Sequence, residues 1–144
     1  MTPALDTLVK PPENDTALLQ VRDLCKAFSL SKQASLQAVD HVSFDIYPGE
    51  SVGLVGESGC GKSTLIRLIT RLLDVTSGTI QFEDTILSTV AVRQFPKSPY
   101  RKGIQLVFQD PTDSLNPRFT AYDTITEPLK RLTGLHDKTQ LRYR

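Results

Sequence analysis

Gly56-Glu57-Ser58-Gly59-Cys60-Gly61-Lys62-Ser63-Thr64 is the stretch of this sequence that decides the fold. It fits the pattern G-x-x-x-x-G-K-[ST], with Ser63 in the last place. Residues 51–55 in front of it are apolar and β-rich, which predicts a short buried strand. Behind it, apolar residues at helical spacing predict a helix with a broad apolar face: Leu65, Ile66, Leu68, Ile69, Leu72 and Leu73. Strand, glycine loop and helix together are the context that the pattern requires.

The residue types of this stretch suit a polyphosphate ligand. Gly56, Gly59 and Gly61 permit backbone conformations that a Cβ would block, so successive amide N–H groups can surround an anion. The start of the helix adds unpaired N–H groups and the positive end of the helix dipole. We expect Lys62 to reach the β- and γ-phosphates and the Ser63 hydroxyl to ligate Mg²⁺. The alternative is a glycine-rich turn that fits the pattern by chance.

Length and composition exclude several classes of protein. The 144 residues are typical of one domain, and the net charge of +1 gives no reason to expect a nucleic-acid partner. Cys25 and Cys60 form neither a disulfide framework nor a metal motif by their spacing, and free thiols suit a reducing cytosol. The sequence contains neither an apolar run of transmembrane length nor the pattern of a signal peptide.

The residues before and just after the glycine stretch predict mainly strands. Residues 1–16 are rich in proline and polar residues and are interpreted as a flexible leader, followed by one domain over residues 17–144. Residues 17–22 predict a first strand, and the alternation of Val42, Phe44 and Ile46 predicts a half-buried strand over residues 36–47. We therefore expect two antiparallel strands ahead of the glycine stretch, and further strands at residues 79–82 and 85–87.

The second half of the chain is more mixed. Basic side chains in residues 88–102 are interpreted as a solvated face rather than an RNA or membrane contact, because the composition supports no such partner. Residues 104–108 predict a buried strand. Residues 121–132 predict a helix, in which Pro128 either introduces a kink or opens a second helix. Gly134 is expected to end this helix, and Asp137 to begin another.

A second motif carries a family resemblance. Phe108-Gln109-Asp110-Pro111, followed by Ser114-Leu115-Asn116-Pro117-Arg118, resembles the Q-loop of ATP-binding-cassette (ABC) ATPases, in particular the oligopeptide/dipeptide/nickel importer subfamily. Residues 38–50 and 53–64 are similar to the same proteins. The resemblance covers about residues 17–144. It implies an α/β P-loop NTPase fold with an N-terminal antiparallel β subdomain, a central parallel sheet and the start of a helical subdomain.

The resemblance also implies roles by position. Phe28 matches the aromatic residue that stacks on adenine, although it could instead be a core residue. Gln109 would position Mg²⁺ and the attacking water, although it could be only a polar strand end. Lys62 would hold the phosphates and serve catalysis, and Ser63 would ligate Mg²⁺. The ATP-binding loop would comprise Gly56, Glu57, Ser58, Gly59, Cys60, Gly61, Lys62, Ser63 and Thr64.

The resemblance implies partners and a location as well. Residues near 112–120 would contact a membrane permease, and a second ABC ATPase subunit would complete the pair. Such a subunit is cytoplasmic and peripheral on the inner face of the cell membrane. The transported solute is chosen elsewhere in such systems, so this sequence does not name it.

Three elements of the family are not found in these 144 residues. They are an LSGGQ-like signature, the Walker B strand ending in Asp-Glu, and the switch histidine, whose position neither His41 nor His136 occupies. The resemblance therefore implies the amino-terminal part of a peptide-type importer ATPase, truncated, with hydrolysis left open. The alternative is a non-catalytic ATP-binding fragment without transport activity. Residues 109–118 disfavour a P-loop kinase or a GTPase.

Overall fold

The computed structural model of the protein describes residues 16–31, 34–109, 115–135, 137, 139 and 141. All but the last residue of the expected leader lies outside this part. The chain forms two compact units, one that ends at Pro96 and one that begins at Lys97. Among the described residues, no helix combines the length and the apolar character that crossing a membrane requires.

The first unit is built on a four-stranded antiparallel sheet. Its strands are β1 (Leu19–Ser29), β2 (Ser35–Ile46), β3 (Ser77–Phe82) and β4 (Thr85–Ile86), in the order β2-β1-β3-β4. The predicted pair of antiparallel strands ahead of the glycine stretch is therefore confirmed. The two later strands are also confirmed, except that Leu87 begins a 3-10 helix, Leu87–Thr89, instead of extending β4.

Helix α1 (Lys62–Ile69) begins within the glycine stretch, at Lys62, and is shorter than predicted. Leu65 and Leu68 are buried, whereas Ile66 and Leu72 are 39% and 49% exposed, so the expected broad apolar face is narrow. Leu65 and Leu68 share the core of the unit with sheet residues and with residues after β4: Val21, Leu24, Val39, Ile80, Leu87 and Phe95.

The predictions of buried strands at residues 51–55 and 104–108 are wrong for the described structure. Neither segment pairs with a strand, and Val55 and Val107 are 86% and 91% exposed. A buried strand needs neighbours that take up its backbone N–H and C=O groups on both sides. All strand pairs in the described residues are antiparallel and involve only β1 to β4, so apolar character alone did not produce the central parallel sheet.

The basic segment around residues 88–102 contains two further short 3-10 helices, Phe95–Lys97 and Pro99–Lys102. Phe95 is buried, whereas Arg93, Lys97 and Lys102 are exposed. This arrangement agrees with the expected solvated face.

In the second unit, helix α2 (Ala121–Thr133) confirms the predicted helix. Pro128 lies inside it, and the helix is continuous, so Pro128 does not open a second one. Gly134 ends the helix with φ 70°, as expected. The N–H of Leu141 donates to the carbonyl of Asp137 at 3.0 Å, a bond with helical spacing where the last helix is predicted.

Candidate functional site

The phosphate loop, residues 56–64, depends on its three glycines for different reasons. Gly59 and Gly61 have φ 83° and 98°, in the left-handed region that favours glycine. A Cβ on Gly61 would lie 2.2 Å from the carbonyl oxygen of Ala38, and one on Gly56 would lie 2.6 Å from the Cys60 Sγ. Gly61 therefore cannot be replaced without moving backbone and Gly59 is favoured by its φ, whereas the contact at Gly56 is with a side chain that can shift.

The ammonium group of Lys62 lies across the phosphate loop. Its Nζ donates to the carbonyl oxygens of Gly56 and Glu57, both at 2.6 Å, and lies 3.4 Å from the Cys60 Sγ. The side chain is thus folded back over the residues that precede it. This geometry places a positive charge at the centre of the loop.

The start of helix α1 adds to this positive character. Gly61 is its N-cap and provides no side-chain acceptor for the first N–H groups of the helix. Those N–H groups and the helix dipole together favour an anion at this end. Ser63 lies in the first helical turn and is exposed, so its hydroxyl is accessible beside the same helix end.

A groove of about 470 Å³, here called the Phe28 groove, joins the phosphate loop to β1 and β2. It is lined by Phe28, Leu36, Gln37, Ala38 and residues 58–64. The structure therefore brings Phe28 together with most of the predicted loop, although Gly56 and Glu57 do not line the groove. Phe28 is half-buried, and the Nζ of Lys26 lies 5.2 Å from its ring centroid, a cation–π distance.

Sequence reasoning missed Gln37 and Ala38, which line the Phe28 groove from β2. They also line a second groove of about 470 Å³ that reaches Leu54, Val55 and Leu65. The backbone of Ala38 lies close to Gly61, with its carbonyl oxygen next to the α-carbon of Gly61. Only the small side chain of Ala38 hinted at such a close approach, and no local pattern marked Gln37.

Gln109 belongs to the second unit and is exposed directly after residues 104–108. The Phe28 groove is formed by residues of the first unit. Residues 110–114, where the expected permease contact begins, lie outside the described residues. Residues 115–120 of that segment are exposed.

Comparison with known proteins identifies the family. A profile of the ABC transporter family matches residues 39–143, which is more than half of the chain. The chain belongs to the ABC transporter family. ABC ATPase cassettes bind nucleotide, form dimers and work with membrane permease subunits.

Curated members of the ABC transporter family share much of this sequence. The chain is 45% identical over 121 residues to the oligopeptide transport ATP-binding protein AppF of Bacillus subtilis, covering 80% of this chain and 36% of AppF. It is 44% identical over 125 residues to "Probable peptide ABC transporter ATP-binding protein y4tS" of Sinorhizobium fredii, covering 83% of this chain and 35% of that protein. The chain thus spans about a third of the length of these relatives.

Solved structures of ABC cassettes show the same fold. The dimeric post-hydrolysis state of the ATP-binding cassette MJ0796, bound to ADP and Pi, superposes with a TM-score of 0.72. The match covers 87% of this chain and 53% of that chain at 22% sequence identity, so the similarity is one of fold. It confirms the predicted fold class, the ABC ATPase cassette, of which this chain spans a part.

Proposed function

We propose that this chain is the nucleotide-binding part of the ATP-binding subunit of an ABC importer for peptides or related solutes. The observation that carries the proposal is the Phe28 groove, in which an aromatic ring and a cationic phosphate loop line one cavity. The solute class rests on the similarity to AppF, an oligopeptide transport protein, and to y4tS, a probable peptide transporter protein.

In this proposal the triphosphate of ATP lies along residues 56–64 and adenine lies against Phe28. Lys62 exchanges its two carbonyl partners for oxygens of the β- and γ-phosphates. The N–H groups of the loop and of the first turn of α1 bind the remaining phosphate oxygens. Stacking needs only an aromatic face, which a phenylalanine provides as well as a tyrosine does.

The donor groups fit Mg²⁺, which takes oxygen ligands and is held jointly by protein and phosphates. The exposed hydroxyl of Ser63 at the start of α1 is one such oxygen. The side-chain carbonyl of Gln109 is proposed as a second, and also as the group that positions the attacking water. When bound, the ion supplies positive charge that offsets the charge of the phosphates.

Membership of the ABC transporter family supports two protein partners for this chain. Residues 112–120 are proposed to contact a membrane permease, and a second ABC ATPase subunit is proposed to pair with this one. The exposure of residues 115–120 supports a role in contact with another protein. These partners would hold the subunit at the cytoplasmic face of the membrane.

A second function, ATP binding without hydrolysis, is favoured for the 144-residue chain taken alone. Its sequence contains no LSGGQ-like signature, no strand ending in Asp-Glu and no switch histidine. Without a base or water-positioning carboxylate the phosphoryl-transfer machinery is incomplete. The catalytic roles proposed for Lys62 and Gln109 would then apply only alongside those missing groups.

Titration with a fluorescent ATP analogue tests the nucleotide site. Loss of charge-assisted bonds costs about 1.5–3 kcal/mol, so Lys62→Ala should weaken binding roughly tenfold or more. Phe28→Ala should weaken binding to a similar extent, whereas Phe28→Tyr should preserve it. Lys97→Ala, which removes an exposed lysine in the other unit, is the matched control. Unchanged affinity in Lys62→Ala would contradict the proposed phosphate contact.

Phosphate release from Mg-ATP separates binding from hydrolysis. The purified chain should release phosphate no faster than the buffer does, because the carboxylates that polarise water are not in its sequence. Turnover that disappears in Lys62→Ala would overturn the second function and leave the binding proposal intact.

A further inference from the structure

Cys25 on β1 has two residues opposite it on β2, Asp40 and His41. The cause is a shift in strand pairing between residues 24 and 26 of β1, which inserts one extra residue into β2. Such a β-bulge changes the direction of side chains that would otherwise alternate between the two faces. His41 has φ 46°, a left-handed conformation that histidine adopts more readily than most residues.

A second irregularity brings Asp23 to the same place. The pairing of β1 with β2 shifts again between residues 21 and 24, and Asp23 also has φ 46°. Its N–H donates to the Ser43 hydroxyl at 2.8 Å, which fixes this backbone conformation. Its carboxylate lies 3.8 Å from Nδ1 of His41.

The potential ligand atoms of Cys25, Asp40 and His41 all lie within 4.8 Å of one another. The backbone N–H of His41 donates to the Cys25 Sγ at 3.3 Å. Nε2 of the His41 ring lies 4.0 Å from the Asp40 Oδ1. Cys25 is only 5% exposed, whereas the side chains of His41 and Asp40 are 72% and 73% exposed. The sulfur is therefore nearly buried, whereas the side chains of Asp40 and His41 beside it are open to solvent.

We propose that Cys25, Asp40 and His41 form a Zn²⁺ site, with Nε2 of His41 as the nitrogen ligand and water in the fourth position. Thiolate, imidazole and carboxylate are the donors that zinc takes, in contrast to the all-oxygen set of Mg²⁺. Thiolate and carboxylate together offset the charge of the ion. Asp23, whose carboxylate lies 3.8 Å from Nδ1, would orient the imidazole on closing to hydrogen-bond distance, as carboxylates next to zinc-bound histidines do.

The geometry requires only a small closure. Ligand atoms around a tetrahedral zinc lie roughly 3.5 Å apart, so the exposed side chains of Asp40 and His41 need to move inward by about 1 Å. The buried thiol need not move. The spacing of cysteines along the sequence predicts no such site, because its ligands come from two strands that meet at a bulge.

Cobalt substitution tests this site in the purified chain, without a histidine tag and without nucleotide. Co²⁺ should give a thiolate-to-cobalt charge-transfer band at one equivalent, and Zn²⁺ should displace it. Cys25→Ser should abolish the band. Asp40→Asn and His41→Asn should each weaken Zn²⁺ binding at least tenfold, and asparagine tolerates the positive φ at residue 41.

Two matched variants act as controls: Cys60→Ser removes the other thiol, and Asp84→Asn removes an exposed carboxylate elsewhere in the unit. Both should keep the band and the Zn²⁺ affinity. A band that survives in Cys25→Ser, or that is lost in Cys60→Ser, would overturn the proposal. Asp40→Asn changes an exposed side chain, so unchanged Zn²⁺ affinity in this folded variant would also overturn it. None of these outcomes depends on nucleotide binding.

Discussion

Gly61 is the residue at which strand β2 and the start of α1 come closest. Gly61 has φ 98°, and a Cβ at this position would lie 2.2 Å from the carbonyl oxygen of Ala38. Both features disfavour any residue other than glycine. The strand and the phosphate loop are therefore fitted to each other through backbone atoms. A change at this one position should disturb both stability and ligand binding.

Gly61→Ala tests this close approach. The substitution should lower the free energy of unfolding by at least about 2 kcal/mol. Backbone strain at residue 61 adds to the contact of the new Cβ with the Ala38 carbonyl oxygen, which one of the two backbone segments must move to relieve. Affinity for the ATP analogue should fall in the same variant. Gly53→Ala is the control, since its added Cβ has nothing within 4 Å and its φ is not positive. Equal stability of the two variants in urea unfolding would contradict the argument.

At the scale of elements, helix α1 is held at its C-terminal end by a buried arginine. Arg71 is only 2% exposed and adopts φ 55° just after the helix. Its guanidinium donates to the carbonyls of Leu73 and Val90 at 3.3 and 2.6 Å, and to the Asp74 carboxylate at 2.9 Å. This side chain therefore joins the end of α1 to the segment that follows β4.

Arg71→Ala should destabilise the protein by about 1–3 kcal/mol, because buried carbonyl groups lose their donor. Alanine keeps the same unfavourable φ, so the comparison isolates the loss of the side chain. Thermal unfolding followed by circular dichroism measures the effect. Arg67→Ala, at an exposed position in the last turn of α1, should stay close to the parent chain. A larger loss in Arg67→Ala than in Arg71→Ala would reject this role.

Helix α2 begins with a capping box. The Thr120 hydroxyl accepts from the N–H of Asp123 at 3.2 Å, and the Asp123 carboxylate accepts from both the hydroxyl and the N–H of Thr120. These bonds from Thr120 lower the pKa of Asp123 from its ordinary value of 3.8. The ionised form of Asp123 is therefore the one that stabilises the helix.

This lowered pKa sets the direction of a pH effect. The contribution of Asp123 is complete above pH 3.8 and is lost as the pH falls through the lower value of the folded state. Urea unfolding followed by helical circular dichroism should show this acid-dependent loss. Asp123→Asn should be less stable at neutral pH and should lack this part of the acid dependence. Glu127→Gln, one turn further along, is the control, and an identical pH profile in Asp123→Asn and the parent would contradict the assignment.

Across the whole molecule, large apolar side chains remain at the surface of both units. Val55 and Leu30 in the first unit, and Val107 and Phe108 in the second, are each more than half exposed. The segments at residues 51–55 and 104–108 also have strand-like composition without strand partners in the described structure. Unpaired, extended apolar segments favour association between chains.

Val107→Lys should reduce this association. Val107 is 91% exposed, so the substitution should change the free energy of unfolding by no more than about 0.5 kcal/mol. Light scattering on heating should show a later onset of aggregation than in the parent. Val21→Lys, at a position with 0% exposure, is the contrasting control and should unfold the first unit. An unchanged onset of aggregation in Val107→Lys would show that this segment does not mediate association between chains.

The sequence was informative wherever short-range pattern is sufficient. The alternation of Val42, Phe44 and Ile46 predicted β2, and the glycines of the phosphate loop predicted the turn before α1. Pairing between distant residues was not predictable in the same way. The bulges at Asp23 and His41 arise from the register of two strands. Strand formation by residues 104–108 depends on neighbouring strands that the composition of this segment cannot supply. Gln37 entered the Phe28 groove for the same reason.

In the nucleotide site proposed above, the carbonyl bonds of Lys62 would impose selection among adenine compounds. An ammonium that is already satisfied by two peptide oxygens transfers only to acceptors that carry more negative charge than these oxygens do. Adenosine carries no such acceptor, whereas the triphosphate of ATP does. In the proposed site, discrimination in favour of a long anionic tail would thereby follow from the resting hydrogen bonds of Lys62.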